Sequence, residues 1–299
     1  MNLTHVLQPY VCCLGNPVAG NPTQFVMYRA ARACGVDWRF FTSQVEVEQF
    51  EVAFRGVQAL GLSGVALFDP FQTKALSLMD TLTESALCLG RVNVARSDGN
   101  SWLGDNTLGT AIMSCFAPDA QGSQVASSSE VAKGEGERQS AILVIGDAKI
   151  ANAMRLASPE QAKQIFLVAG LDHHRSNAEE SAEMLQPDFK VDCDFPSLDE
   201  FGQSGLEIAS LVVSSIQNAA TLRHTAGLSW SDSVRCLVLS PASEKQLRMW
   251  RDSWKIKTID YVEAVELMAH QAAADFQFWT GVAPAFDLIR DSLEEYLQW

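Results

Sequence analysis

The feature that most constrains this chain is a repeated pairing: a short apolar run closed by glycine or proline, then a stretch with helical periodicity. The run VCCLG precedes PTQFVMYRAARACG, which sets Phe25, Tyr28, Ala31 and Ala33 near one face and ends at Gly35 as a C-cap. WRFFTSQV, VEQFEVAFRGVQALG, SGVALFDP and QTKALSLMDTLTESALCLG continue the alternation of strand and helix, with the second helix ending at Gly61. Strands without polar alternation must be covered on both faces, the condition of a parallel sheet flanked by helices. RVNVARSDGNSWLGDNT departs from this as a hairpin turning at Asp98, Gly99 and Asn100.

Residues 117–140 hold almost no large apolar side chain, and their Ser, Gly, Ala and Glu content predicts a flexible loop or linker. A second strand–helix series follows: AILVIGDAKIANAMRLA, QIFLVAG, a strand near FKVDCDF, then EIASLVVSSI and VRCLVLSP. Two helices close the chain, YVEAVELMAHQAAADFQFWTG and PAFDLIRDSLEEYLQW, parted by Gly281 and Pro284. The expected fold class is α/β in two domains. Residues 1–116 form the first and 141–269 a Rossmann-like doubly wound parallel sheet, with helices 270–299 packing back on the first.

Charge and cysteine usage narrow the function. A net charge of −14 repels phosphate backbones and anionic lipid, so neither nucleic acid nor membrane is an expected partner. Seven cysteines, an odd number with no CxxC, read as reduced thiols of a reducing compartment. MNLTHVLQPYVCCLG has no basic leader region and no run reaches the ~18 apolar residues of a span, so a cytoplasmic location is expected. His173 and His174 lack Cys or His partners at ligand spacing, and no metal site is expected. The oligomeric state stays open between monomer and homodimer.

Seven short fragments stand in a meaningful order. Gly15, Pro17 and Pro22 open the chain; Gly64–Gln72 reads GVALFDPFQ; Gly90–Val94 reads GRVNV; Gly104–Leu108 reads GDNTL. Gly146–Ile150 reads GDAKI, Cys236–Pro241 reads CLVLSP, and the tail carries Gln271, Phe276, Trp279-Thr280-Gly281 and Pro284. Together they resemble the shikimate dehydrogenase family, whose patterns are G-x-N-V-T-x-P-F-K, G-A-V-N-T, G-x-N-T-D, G-A-G-G-A, D-x-x-Y-x-P and M-L-V-x-Q-A-x-x-A-F-x-x-W-T-G-x-x-P. The resemblance implies a substrate-binding first domain, an NADP-binding second domain, and NADPH-dependent reduction of 3-dehydroshikimate to shikimate.

The same resemblance locates the departures. The family's lysine–aspartate pair, which would handle the proton, falls on Gln72 and Leu108, neither of which exchanges a proton near neutral pH. Lys74 and Asp105 are nearby substitutes in an altered register. The paired serines that grip the substrate carboxylate fall on Ala19 and Asn21, and further Thr and Tyr contacts on Phe68 and Leu239. Asn93, Asn106 and Gln271 remain to bind ring hydroxyls or to knit loops together. In the cofactor turn, Gly146 stands, Ala148 replaces the second glycine, Lys149 follows, and Asp147 competes with phosphate for helix N–H groups. Arg175 is placed to meet an NADP 2′-phosphate. Two readings follow: a shikimate dehydrogenase-like oxidoreductase acting on a shikimate-like cyclic hydroxy acid, or a catalytically inactive relative that binds a small ligand or a partner protein.

Overall fold

The apolar runs become strands of two sheets in the computed structural model, which describes residues 8–117, 140–169, 195, 197–214, 225–239 and 244–298. The first sheet contains β1 (Tyr10–Gly15), β2 (Arg39–Gln44), β3 (Gly64–Leu67), β4 (Thr81–Leu82), β5 (Val94–Ser97) and β6 (Trp102–Asp105), in the order β2-β1-β3-β5-β6-β4. β1 lies parallel to β2 and β3, whereas the expected hairpin makes β5 antiparallel to both β3 and β6. Val11–Leu14 and Val65–Leu67 are buried throughout, as strands covered on both faces must be.

Helix α1 (Thr23–Cys34) ends at Gly35, whose φ of 67° is the left-handed cap conformation. Its buried face is Val26, Met27, Ala30 and Ala31, while Tyr28 is exposed, so the core-facing stripe lies beside the expected one. Both stripes are apolar, and packing selected between them. Helix α2 (Phe50–Ala59) follows as anticipated.

The segment 72–90, expected to carry a helix, holds two short ones, α3 (Phe71–Lys74) and α4 (Glu84–Leu89), parted by a 3₁₀ turn (Ala75–Leu78) and β4. The break is local chemistry. The Asp80 carboxylate accepts from Trp102 N at 2.7 Å, Thr81 and Leu82 pair with Leu103 and Gly104, and Thr83 caps α4 by accepting from Ala86 N at 3.2 Å. Helix α5 (Leu108–Cys115) comes after β6.

The second sheet is formed by β7 (Ser140–Gly146), β8 (Ile165–Ala169), β9 (Glu207–Val213), β10 (Trp230–Val238) and β11 (Thr258–Tyr261). Its order is β11-β10-β9-β7-β8, parallel throughout, with α6 (Ala148–Ala157), α7 (Leu198–Ser204) and α8 (Glu244–Trp254) between strands. Strand β11 is a correction to the sequence reading, which began a helix at Tyr261. It is a short edge strand held by β10, and four residues carry too little periodicity to announce themselves. The loop at 118–139 and the strand expected near FKVDCDF, up to residue 194, lie outside the described residues.

Helices α9 (Ala264–Thr280) and α10 (Phe286–Leu297) end the chain. The described residues divide into two compact units: those of Met1–Ala111 with Ala264–Trp299, and those from Ile112 to Glu263. In the first unit, Phe276, Trp279, Ile289 and Leu293 join Val26, Met27 and Phe40 in one apolar cluster. Six described cysteines are free, and burial pushes the Cys12 and Cys236 thiols up to about 12, which keeps them unreactive. No helix among the described residues is long and apolar enough to cross a membrane.

Candidate functional site

A cleft of about 480 Å³ opens in the first unit. Its floor is the carboxyl end of β3 (Ala66, Leu67), one rim is the Pro17–Pro22 loop leading into α1, and another is α3 with Gln72. Helix α9 supplies the facing wall through Met268, Gln271 and Asp275, which recur at helical spacing and so share one side.

The most consequential of these groups is Asp275. Its Oδ1 accepts from Thr107 Oγ1 at 2.6 Å and from Asn93 Nδ2 at 3.0 Å, so both donors fall on one oxygen of a side chain that lines the cleft. Desolvation pushes its carboxyl up to about 7; the two hydrogen bonds oppose this and the charge of Asp105 reinforces it. Near neutral pH the group therefore exists in both protonation states. Asn93 donates from the same Nδ2 to Thr107 Oγ1 at 2.8 Å and accepts from Thr107 N at 3.0 Å, so its amide is spent on holding this cluster together.

Other residues singled out from sequence divide between cleft and scaffold. Gln271 lines the cleft. Gln72 also does, with Nε2 donating to the Leu67 carbonyl at 3.0 Å. Asn106 is buried structure: it donates to the Arg91 carbonyl at 3.0 Å and accepts from Leu108 N at 3.2 Å, starting α5. Leu108 does not line the cleft. Neither do the two suggested substitutes. Lys74 reaches the Val47 carbonyl at 3.4 Å, and Asp105 accepts from Thr83 Oγ1 and, at 2.7 Å, from its neighbour Asn106 N. An α3 lysine two residues beyond Gln72 points to another side of the turn, and a β6 carboxylate beside two donors is held by them.

In the second unit, β7 ends at Gly146, whose φ is 124°, and α6 begins at Ala148. This lies at the carboxyl end of a central parallel strand, where the sheet order reverses, the usual place for a nucleotide in such sheets. Asp147 caps α6, its carboxylate accepting from Lys149 N at 2.9 Å, while its own N–H donates to Ser214 Oγ at 2.7 Å. The backbone turn fits a dinucleotide phosphate; the Asp147 side chain occupies one N–H that a phosphate would use. Arg175 lies outside the described residues.

The shikimate dehydrogenase substrate binding domain matches residues 13–95. Along nearly its whole length the chain is 24% identical to shikimate dehydrogenase (NADP(+)) of Bacillus subtilis, covering 93% of each protein. The chain is similar to shikimate dehydrogenases along nearly its whole length, and divergent from them. Among solved structures, shikimate 5-dehydrogenase from Thermus thermophilus in complex with NADP(H) and shikimate matches with a TM-score of 0.62 at 17% identity, covering 97% of this chain and 100% of that one. Ligand-free 5-ketofructose reductase of Gluconobacter matches with a TM-score of 0.61 at 17% identity, covering 97% and 99%. These two likenesses establish the two-domain α/β fold.

Within that family frame, Asp275 is the residue sequence reasoning passed over. The family pattern Q-A-x-x-A-F has alanine where this chain has Asp275, directly before the buried Phe276. An acid inside AAADFQFW, four residues after Gln271 and hence on its face, was the available signal.

Proposed function

We propose that the chain is a shikimate dehydrogenase-like oxidoreductase whose first unit binds a small hydroxylated ring compound and whose second unit takes an NADP-type cofactor at the Gly146 turn. The observation that carries this reading is Asp275: the lysine and aspartate of the family pattern are absent, yet a carboxyl titrating near neutrality stands on the cleft wall. Proton exchange at the reacting hydroxyl needs a group of this kind. The nicotinamide supplies the hydride step when bound. The chain's own residues bind the ring through Gln271, position the carboxyl through Asn93 and Thr107, and give or take the proton at Asp275.

Support for the cofactor comes from the doubly wound sheet, the glycine turn and the likeness to shikimate dehydrogenases. What the resemblance implies beyond this, reduction of 3-dehydroshikimate in a biosynthetic route to aromatic amino acids in the cytoplasm, requires a cleft that accepts a ring carboxylate. The division at 117–140 into substrate-binding and cofactor-binding domains follows the same resemblance. The test joins calorimetric NADP⁺ binding to turnover of shikimate and related ring polyols. The expected result is NADP⁺-dependent turnover that falls about 10²–10⁴-fold in Asp275→Asn with NADP⁺ affinity unchanged.

A second reading is a ligand-binding relative without redox activity. The self-capped turn at Asp147 favours it. Absence of NADP⁺ binding at millimolar concentration, with an intact fold, would establish it in place of the first.

A further inference from the structure

The charge lining the cleft is informative about what enters it. Among the described residues on its walls, the only ionisable side chains are Asp69 and Asp275; there is no lysine, arginine or histidine. The helix N-terminus at the rim is already met, because Asn21 Oδ1 accepts from Thr23 N at 2.9 Å. The remaining polar groups are amides and a hydroxyl, including those of Gln271, Gln72 and Thr23, set against apolar surface from Met27, Phe68 and Leu293.

We propose that this cleft selects an uncharged, hydroxyl-rich small molecule and discriminates against carboxylic acids, with Asp275 as the residue that reads the difference. The inference rests on the cleft being the ligand site and goes beyond that reading by naming the ligand class. A ligand carboxylate brought into the cleft would lose water, meet the charge of Asp69 and, whenever Asp275 is ionised, a second like charge, and find no cation on the described walls to offset these costs. An uncharged hydroxyl suits the same wall. Asp275 spends Oδ1 on Thr107 and Asn93, so Oδ2 is left to accept from a ligand O–H, and the Gln271 amide both donates and accepts. An ammonium ion would also lose water, and Asp275 already spends one carboxylate oxygen on two donors, which leaves a single oxygen to offset that loss.

The test is calorimetry or ligand-observed NMR on the full chain near pH 7.5, without cofactor, using shikimate, its uncharged methyl ester, the corresponding amine, and myo-inositol. The expected result is that the ester binds about 10-fold or more tightly than the acid. In Asp275→Asn that preference should shrink towards unity, since the variant removes the charge and keeps a hydrogen-bonding group. Because a ratio of affinities is read within each protein, partial loss of folded variant does not distort it, and Asp69→Asn provides a second reading of the same field. A residue that only supported the fold would leave the ratio unchanged. Equal or tighter binding of the acid, or tighter binding of the amine, overturns the ligand class while leaving the cleft as the ligand site. Binding of none of the four at millimolar concentration overturns the inference and the ligand-site reading together.

Discussion

The indole of Trp279 occupies the space a side chain on Gly64 would need: a Cβ there would lie 2.7 Å from its Cδ1. Trp279 Nε1 donates to the Ala95 carbonyl at 3.0 Å, so α9 is pinned across β3 and β5. The W-T-G and G-x-N-V-T fragments, more than two hundred residues apart, are two sides of one contact. That contact also sets the depth at which Gln271 and Asp275 stand over the strand ends.

Gly64→Ala should therefore destabilise the chain by about 1–3 kcal/mol through overpacking against backbone and a pinned ring. Thermal unfolding checks this. Combining it with Trp279→Phe should recover part of the loss, as contacting residues do not add independently.

Asp275 should make stability depend on pH with a defined sign. Its carboxyl is raised from 3.8 in the unfolded chain to about 7 in the fold, so its contribution is full below about pH 4 and lost as pH rises through 7. Relative to Asp275→Asn, the chain should be more stable near pH 5 than near pH 8, by about 1–2 kcal/mol once the group's open side is allowed for. Parallel pH-independent melting curves would refute it.

Gln72→Lys would place a cation in a cleft whose described walls have none. Shikimate affinity should rise about 10-fold and Asp275 should titrate lower. Calorimetry and NMR titration of the carboxyl read the two effects separately.

Asp147→Asn keeps a side chain able to cap α6 but removes the charge standing on Lys149 N. NADP⁺ affinity should rise by about 10-fold, read by fluorescence or calorimetry. An unchanged affinity would mean that Asp147 does not compete for the phosphate position.

Much of this molecule could be read before any coordinates. The strand runs, the C-cap at Gly35, the hairpin between β5 and β6 and the motif order all rest on local patterning, which a linear chain displays directly. Reading stopped where the outcome depended on which surfaces meet. Between the two short helices of 71–89 the chain becomes a strand because Trp102 and Leu103, some twenty residues on, offered it pairing. Lys74 and Asp105 looked like neighbours of the site and turned to other partners.

Sequence by itself determined the α/β class, the likeness to shikimate dehydrogenases and the presence of Gln72 and Leu108 where that likeness would put a lysine and an aspartate, because residue identity at a motif position is fully visible in a string. Only the tertiary structure decided that a carboxyl returns to the cleft from α9. Asp275 lies more than one hundred and sixty positions from Thr107 and Asn93, and its proton affinity is a product of burial and of those two donors. Desolvation and hydrogen bonding act through space, so no reading along the chain could supply them.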